Sequence, residues 1–536
     1  MNAQANPLIK LKQKIAAFWN EINPDIAALG LLLLGLARRL SGLGERPLWF
    51  DETISAVYAR QDISTLFALN NGDNHPFGYY LTLKFWIDLF GYSDATIRLL
   101  SVVPGVGAIW LVWLIGRRLF PEQSSITLSA TAIMALNPFQ IYFSQEARNY
   151  SFMQFWVLLA IWFWLRGLEN SRWLDWLGLG SVSALAIIYN FTGAFYLAAL
   201  YLYPLFRARL YWEKGILLRM WGAGAGAGVV AGFALFPKLT SRLDAIKNNF
   251  WIPEPEPLII LRTFFTFIFG AAPADLFILA FALAFVLLAI TLVMAIPAWW
   301  RERRDSGLAR TLWLLFAPLG LVILVSLAFQ SLYLDKALIA CSPFYYLLLG
   351  WAIFKPGTQK WGGAILVGIP LVIALLWSSL YLPDIYNGKL QPLYIARYNV
   401  NQINTYLAQQ PAEAVVTATD IAWLPLVYYG AQALPPKYSL SDYPTPNIFP
   451  LLVEKLHSET IASADVGKRF KRFWVLFELY QGDNPLAEPR PLPIGLDIPW
   501  AHSKDWQVSL MADFDRKYTR VQAVELDRVL LVLYQQ

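Results

Sequence analysis

The chain has 536 residues, of which 57% are hydrophobic and only 15% are charged, and its mean hydropathy is +0.44. An ordinary soluble protein is about 25% charged, so this composition excludes a typical soluble domain and indicates a protein that crosses a membrane several times. The net charge of +6 is modest, and because no basic run is long, we expect no nucleic-acid partner. The single cysteine, Cys341, excludes a disulfide within the chain.

A membrane-spanning helix needs roughly 20 mostly apolar residues, and scanning the chain for such stretches predicts about eleven of them. A tail of about two dozen residues precedes the first stretch, and no small-residue cleavage site follows it, so we expect no cleavable signal peptide. The prediction is a polytopic α-helical membrane domain over residues 1–383. The stretches lie near residues 22–40, 98–116, 124–140, 151–166, 174–190, 191–206, 221–237, 274–297, 311–330, 337–354 and 362–382.

The distribution of Lys and Arg predicts how the chain is oriented. Short basic loops alternate with loops poorer in basic residues, and basic loops face the cytoplasm. Lys10, Lys12 and Lys14 add to this pattern, so we expect a cytoplasmic N-terminus in the plasma (inner) membrane and, after eleven crossings, an outer C-terminus. Arg38 and Arg39 conflict with this orientation because they end the first stretch on the outer side. We expect their side chains to snorkel to the interface.

The composition changes from about residue 384, where the long apolar stretches stop. The runs "AVVTATD", "RFWVLFEL" and "RVLLVLYQQ" predict short buried strands, and "NVNQINTYLAQQ" predicts an amphipathic helix. Residues 384–536 are therefore predicted to form a small extracytoplasmic α/β domain of ordinary size. No motif decides whether it caps a site on the membrane domain or binds an acceptor.

Polar residues of the predicted outer loops stand out against the apolar chain. If the loops converge, they form a site at the membrane boundary with two acids and several cations. A carboxylate can take a proton from an attacking hydroxyl, and cations can stabilise charge on a departing phosphate. The pattern suits sugar transfer from a polyprenyl phosphate. The candidates are Asp51, Glu52 and His75 in the first outer loop (residues 41–97), Arg148 in the second, and Lys336 at the fifth.

The stretches "LWFDE", "HPFGYYLTLKFW", "IRLLSVVPGVGAIWLVWLIGRRLF" and "NPFQIYFSQEARNYS" follow one another here as in the GT-C-type membrane glycosyltransferases. More narrowly, the chain resembles the dolichyl-phosphate-mannose protein mannosyltransferase and aminoarabinose transferase branch, most strongly over residues 45–170. The acidic pair of the first outer loop is the hallmark of that family, and its Asp matches Asp51. A histidine or lysine before proline matches His75, although Phe77 and Gly78 replace the usual proline and leucine.

The resemblance implies a polyprenyl-phosphate-linked sugar donor, an acceptor hydroxyl on a lipid, glycan or protein, and inversion at the anomeric carbon. By this resemblance Asp51 is the general base, Glu52 stands beside it, and His75, Arg148 and Lys336 hold the departing phosphate. Lys336 occupies a place where many members have an arginine followed by Tyr-Leu. Some relatives bind a divalent cation and many need none. We predict that neither a metal nor another cofactor is required.

Each candidate also has a simpler explanation. An acidic pair can complement the macrodipole of a helix that starts there, and Glu52 can act only by orienting or tuning its neighbour. His75 can be an ordinary loop residue. The remaining explanations are ion pairs or surface charges: Arg148 with Glu146 or Asp51, Lys336 beside Asp335, and Arg98 with Asp94 one helical turn earlier.

Two other functions compete with the glycosyltransferase. A transporter or flippase of lipid-linked or envelope precursors would place ionisable residues near the membrane midplane and often show two related halves. In this chain the conspicuous charges gather at one face and the halves differ, which favours the enzyme. A non-catalytic scaffold could keep the fold, but the presence of Asp51, His75 and Arg148 counts against it.

Overall fold

The chain is described here by a computed structural model, in which helices form the membrane part and a mixed sheet forms the C-terminal part. The predicted boundary between two domains at residues 383 and 384 lies outside the described residues, as does the basic N-terminal tail. The described residues are 23–207, 211–212, 215–242, 252, 254–273, 275–302, 306–354, 362–380, 399–410, 412–430, 435–442, 450–456, 458–478, 501–526 and 529–536.

The membrane part consists of α-helices joined by short loops. Two 3₁₀ helices, Tyr203–Arg207 and Asp335–Cys341, and one π-helical stretch, Ala364–Gly368, join or extend them. The α-helices are Pro24–Leu40, Phe50–Ala59, Ile63–Asn71, Gly78–Phe90, Asp94–Leu119, Ser124–Leu136, Pro138–Ser144, Tyr150–Asn170, Trp173–Tyr189, Gly193–Leu202, Ile216–Arg242, Pro257–Phe269, Phe277–Glu302, Gly307–Ala328, Ser342–Phe354 and Ile369–Leu380.

Among the described residues, six helices are long and apolar enough to cross a membrane, or seven if a bent pair counts as one span. Every apolar stretch predicted from the sequence overlaps a helix, so the polytopic helical architecture is confirmed. The count of about eleven spans is not confirmed, since several of these helices are shorter than the roughly 20 residues that a crossing needs. Helix Pro257–Phe269 was missed in the sequence because its apolar run has only 13 residues.

The bent pair consists of Ser124–Leu136 and Pro138–Ser144, which meet at 55°. Pro138 explains the break, because proline lacks the N–H that would continue the first helix. The side chain of Asn137 accepts a hydrogen bond from the Gln140 amide at the new helix start. Its own amide group donates to two carbonyl oxygens of helix Pro257–Phe269, at 3.0 and 2.9 Å. The break is therefore stabilised by a neighbouring helix rather than by water.

Arg39 lies against this break and is completely buried. Its guanidinium donates to the carbonyl oxygens of Met134 and Ala135 at 3.0 and 2.9 Å, and to the hydroxyl of Ser144 at 3.0 Å. The expectation that Arg39 snorkels to the interface is therefore wrong. Carbonyls freed where a helix ends within a membrane need donors from the protein, and Arg39 supplies them.

Three helices of the first outer loop, Phe50–Ala59, Ile63–Asn71 and Gly78–Phe90, pack together around a common apolar cluster. Gly78 begins the third of these helices at a close approach to helix Trp173–Tyr189. A Cβ atom at this position would lie 2.7 Å from the carbonyl oxygen of Ile188, so this packing requires glycine. The departure from the family pattern at Gly78 is thus matched to its neighbour in the structure.

The C-terminal part is an α/β unit, as predicted. Its described strands form a six-stranded sheet in the order β3-β2-β1-β4-β6-β5. Strands β1 to β4 run parallel to one another, and β6 lies antiparallel to both of its neighbours, β4 and β5. Alternate residues of the central strands enter two different apolar clusters, one on each face. The strands are β1 Ala414–Thr417, β2 Lys437–Leu440, β3 Glu459–Ile461, β4 Arg472–Glu478, β5 Thr519–Leu526 and β6 Val529–Gln535; the helices are Val400–Ala408, Asp420–Tyr429, Pro450–Lys455, Ser463–Arg469 and Ala501–Lys517.

Candidate active site

The two adjacent carboxylates of the first outer loop have different surroundings. Asp51 and Glu52 both stand in the first turn of helix Phe50–Ala59. Successive residues of an α-helix point about 100° apart, so only one of the two can face the centre of the loop cluster. The side chain of Glu52 is fully buried, whereas that of Asp51 is 21% exposed. The structure therefore separates two residues that the sequence presents as a pair.

Glu52 is held by Arg98, whose Nε and Nη2 atoms donate to its two carboxylate oxygens at 2.8 and 2.6 Å. The backbone amides of Ala147 and Trp49 also donate to this carboxylate, at 3.0 and 3.3 Å. Glu52 thus joins the first outer loop, helix Asp94–Leu119 and the second outer loop. The remaining N–H groups of Arg98 donate to the carbonyl oxygens of Leu43, Arg46 and Pro47.

The partner of Arg98 is therefore Glu52 and not Asp94, the partner that helical spacing suggested. Asp94 instead accepts a hydrogen bond from the hydroxyl of Tyr429, at 2.6 Å. Spacing along one helix identified a neighbour, but the folded loop brought a second acid directly onto the guanidinium. With both side chains 0% exposed, this ion pair has an evident structural role.

Arg148 connects the second outer loop to Asp51. Its Nε lies 3.8 Å from a carboxylate oxygen of Asp51, and its Nη1 donates to the Asp51 carbonyl oxygen at 3.2 Å. The same Nη1 donates to the hydroxyl of Tyr80 at 3.1 Å. Among the described residues, the buried Nε–H has no hydrogen-bond acceptor. A buried donor without an acceptor calls for an explanation, and here it lies beside the most accessible carboxylate of the cluster.

The loop that carries Arg148 is fixed at both ends. Gln145 donates to the carbonyl oxygens of Arg39 and Ser41 at 2.9 and 2.8 Å, and Asn149 donates to that of Tyr189 at 2.8 Å. These amide side chains replace the partners that an irregular loop would otherwise take from water. The backbone on either side of Arg148 is thereby held in place by contacts that do not involve Asp51.

Asp73 organises the segment that contains His75. One carboxylate oxygen accepts from the backbone amide of His75 at 2.8 Å, and the other accepts from the Tyr80 hydroxyl at 2.9 Å. Asn70 donates to the His75 carbonyl oxygen at 3.0 Å, and the buried Lys238 in turn donates to the Asn70 carbonyl oxygen at 2.5 Å. A continuous series of polar contacts therefore runs from Arg148 through Tyr80 and Asp73 to His75.

Lys336 brings a further cation to the same site. Its ammonium lies 5.2 Å from the centre of the Tyr150 ring, a cation–π distance, and the His75 ring meets Tyr150 edge-on at 6.0 Å between ring centres. Asp335, the neighbour that could have paired with Lys336, is buried and bonded to Arg262 and Thr263 at 3.2 and 2.6 Å. Lys336 is thus directed towards the site and away from the acid that precedes it.

The electrostatics of the site follow from burial and from the charged side chains that meet there. Burial and the charge of Arg148 lower the pKa of His75 well below its ordinary value, with further contributions from Lys336 and Lys238. The imidazole is therefore neutral at neutral pH. Burial would raise the pKa of Asp73, but the charges of Arg148 and Lys238 and the hydrogen bond donated by the His75 backbone amide outweigh it, so the pKa is lowered and Asp73 is ionised. The cations Arg148 and Lys336 are the groups of this site that favour an added anion.

Five residues proposed from the sequence come together in two ways. One site is surrounded by Asp51, His75, Arg148 and Lys336. Glu52 supports this site indirectly, through its contacts with Arg98 and the Ala147 amide. Sequence analysis missed several partners that have no signature of their own, because a buried tyrosine or asparagine is common in any core. Only Asp73, an acid two residues before His75, offered a signal. The missed residues are Asn70, Asp73, Tyr80, Tyr150 and Lys238.

The described residues contain no group of three or more His, Cys, Asp or Glu side chains that could hold a metal ion. The prediction that no metal is required stays a prediction.

Residues 74–236 match the family model described as dolichyl-phosphate-mannose-protein mannosyltransferase. This segment includes His75 and Arg148, while Asp51 lies before it and Lys336 after it. The comparison with curated proteins gave no match.

Two solved structures of ArnT from Cupriavidus metallidurans resemble the chain over nearly its whole length. The apo form is 11% identical, with a TM-score of 0.59, and the form bound to undecaprenyl phosphate is 12% identical, with a TM-score of 0.55. Each comparison covers 94% of this chain and 97% of ArnT. At these identities the likeness concerns the fold. The chain has the fold of ArnT, which confirms the fold that the sequence resemblance implied.

Proposed function

We propose that this chain is a membrane glycosyltransferase that moves a sugar from a polyprenyl-phosphate donor to an acceptor hydroxyl at the outer face of the plasma membrane. The shared fold and the family-model match support glycosyl transfer in general. The undecaprenyl phosphate bound to ArnT supports a polyprenyl-phosphate donor. The proposed acceptor is a lipid, a glycan or a protein. The transfer assay described below identifies the sugar.

The observation that carries the proposal is the position of Asp51. Its carboxylate is partly exposed and lies 3.8 Å from the buried guanidinium of Arg148, with His75 and Lys336 around the same site. A base next to a cluster of phosphate-binding groups is the arrangement that transfer from a sugar phosphate requires. The Nε–H of Arg148, which has no hydrogen-bond acceptor within the part of the chain that the structure describes, is a donor that a phosphate oxygen can use.

In the proposed step, Asp51 accepts the proton of the acceptor hydroxyl as its oxygen bonds to the anomeric carbon. The bond from that carbon to the phosphate oxygen breaks on the opposite face, and its electron pair leaves with the phosphate, so the configuration inverts. Arg148, His75 and Lys336 stabilise the charge on the departing lipid phosphate. In this scheme the neutral imidazole of His75 acts first as a hydrogen-bond donor.

Glu52 has a different part in this proposal from the one expected of an acidic pair. Both of its oxygens accept hydrogen bonds from Arg98 and from backbone amides. We therefore assign Glu52 to positioning: it fixes the helix start that carries Asp51 against the loop that carries Arg148. The expected contribution of Glu52 to the chemistry is indirect.

The proposed orientation, with the N-terminus in the cytoplasm and the site and C-terminal domain outside, rests on charge distribution. Helix Asp94–Leu119 begins at the site, where Arg98 binds Glu52, and ends in Arg117 and Arg118. Basic helix ends mark the cytoplasmic side, so this helix supports an outward-facing site. Access of a lipid-linked phosphate from the bilayer agrees with this placement.

A transfer assay with purified protein in liposomes tests the proposal. Radiolabelled polyprenyl-phosphate sugars are supplied as a panel, with membrane extract as the acceptor, to wild type and Asp51→Asn. We expect one donor to be used by wild type and transfer by Asp51→Asn to fall by about 10²- to 10⁴-fold, the usual contribution of a general base. Asp88→Asn is the matched control, because Asp88 is an exposed acid of the same loop paired only with Lys84 among the described contacts.

Equal transfer by wild type and Asp51→Asn would remove Asp51 as the base. If wild type moves no sugar from any donor, the glycosyltransferase proposal fails, and transport of the labelled lipid across the liposome membrane becomes the measurement that tests the alternative of a flippase.

A further inference from the structure

The C-terminal domain makes direct contact with the helix that carries Asp51. Helix Asp420–Tyr429 packs on helix Phe50–Ala59, and its Trp423 and Leu424 are buried in the same apolar cluster as Trp49 and Phe50. Burial of large apolar side chains at a contact stabilises it. The domain is therefore attached to the outer loop at a defined place.

A single hydroxyl of this helix binds the segment just before Asp51. The Tyr429 hydroxyl accepts a hydrogen bond from the backbone amide of Leu48 at 2.7 Å and donates to a carboxylate oxygen of Asp94 at 2.6 Å. Burial and the nearby charge of Asp94 raise the pKa of Tyr429, so the hydroxyl keeps the proton that it donates. The contact joins residues 381 positions apart in the chain.

Leu48 belongs to a short segment whose other backbone groups are also held. Arg98 binds the carbonyl oxygen of Pro47, at 2.9 Å, and the Thr53 hydroxyl donates to the carbonyl oxygens of Leu48 and Trp49. The amide of Leu48 is the part of this segment that the C-terminal domain supplies with a partner. Loss of that partner would free the chain immediately before Asp51.

We infer that the C-terminal domain contributes to the active site through Tyr429. Tyr429 is a positioning residue: its hydroxyl holds the Leu48 amide and thereby fixes Asp51 relative to Arg148. The inference rests on the proposed function, because Asp51 is the base there. Small displacements of a catalytic group cost large factors in rate, so one hydrogen bond from a distant domain can matter for turnover.

Tyr428 provides a matched control within the same helix. Its hydroxyl also reaches the first outer loop, where it donates to the Tyr92 hydroxyl at 2.6 Å. That contact is exposed, and Tyr92 reaches the Asp51 helix only at the Ala56 carbonyl oxygen, at 3.5 Å, after Asp51 rather than in the segment before it. Tyr428→Phe and Tyr429→Phe each remove one hydroxyl from the domain contact, but only the second removes an anchor of the Asp51 segment.

The experiment compares the two variants in the transfer assay and by hydrogen–deuterium exchange. For Tyr429→Phe we expect kcat to fall by about tenfold or more, KM for the donor to stay within about twofold, and exchange over residues 46–59 to accelerate. Tyr428→Phe should match wild type in all three. If Tyr429→Phe does not fold, Asp94→Ala takes its place in the comparison. This variant removes the carboxylate that accepts the hydrogen bond of the Tyr429 hydroxyl.

Equal kcat values for the two variants would overturn the inference, and so would a rise in KM alone, which would indicate a role in donor binding. The exchange measurement needs no substrate, so it separates the two ways of failing. If wild type transfers sugar from no donor, the proposed function fails, and the positioning role fails with it. Faster exchange in Tyr429→Phe alone would then still show that Tyr429 holds the segment before Asp51.

Discussion

The guanidinium of Arg98 and the carboxylate of Glu52 form an ion pair at 2.6 Å with neither side chain exposed. The pair ties the start of the helix that carries Asp51 to the membrane helix below it and, through Ala147, to the loop that carries Arg148. The reacting groups proposed here are thus held by a buried charge pair that has no access to substrate. This arrangement leads to opposite expectations for the two adjacent acids.

Glu52→Gln should destabilise the protein by about 3 to 5 kcal/mol, because it leaves the Arg98 charge buried without its counter-charge. Asp51→Asn should leave stability nearly unchanged, since that side chain is partly exposed. Thermal unfolding of both variants in the same detergent measures the difference. An unfolding temperature of Glu52→Gln equal to that of wild type would contradict the structural role of Glu52.

The lowered pKa of His75 predicts how the affinity for the donor depends on pH. Burial and Arg148 hold the pKa of His75 low in the empty site, whereas a bound phosphate would raise it by its negative charge. Binding therefore takes up a proton, and affinity for undecaprenyl phosphate should increase as pH falls from the pKa of the occupied site towards that of the empty site. Titration of Kd against pH measures this effect.

The phosphate itself titrates near neutral pH, so the His75 contribution needs a matched variant. His75→Lys keeps a donor before Pro76 and stays charged throughout this range. We expect it to retain binding and to show only the pH dependence of the phosphate. A pH profile identical to that of wild type would exclude His75 as the group that takes up the proton.

Arg148→Lys should lower transfer by about tenfold or more, through a lower kcat as well as a higher KM for the donor, because Arg148 is proposed both to bind the phosphate and to stabilise its charge as it departs. The guanidinium reaches Asp51 and Tyr80 at the same time, and a lysine ammonium, as a single point charge, cannot reproduce a planar fork of donors. Steady-state kinetics with the donor identified above measure this change. An unchanged kcat would contradict the proposed stabilisation of the departing phosphate by Arg148.

Arg39→Met should destabilise the membrane domain by on the order of 3 kcal/mol, because it leaves several buried carbonyl oxygens at the helix break without donors. Arg38→Met is the control, since Arg38 is half-buried and its loss should change stability by about 0.5 kcal/mol or less. Unfolding in detergent compares the two. Equal stabilities would show that the break at Pro138 does not depend on Arg39.

Much of the architecture was predictable because the signals are local. A long apolar run, a proline or a change of composition acts on its own stretch of chain, and each predicted apolar stretch overlaps a helix in the structure. The short helix Pro257–Phe269 and the number of crossings were not predictable in this way, because length alone does not decide whether a short apolar helix spans a membrane.

The residue types of the site could be identified from the amino-acid sequence, since Asp51, His75, Arg148 and Lys336 stand in recognisable loops. Their separate roles follow from the folded arrangement. The direction of a side chain and the identity of its partner depend on segments far apart in the chain: Glu52 meets Arg98 across 46 residues, and Leu48 meets Tyr429 across 381. Two adjacent acids therefore became one exposed carboxylate and one buried support, because long-range packing, rather than local spacing, sets burial and hydrogen-bond partners.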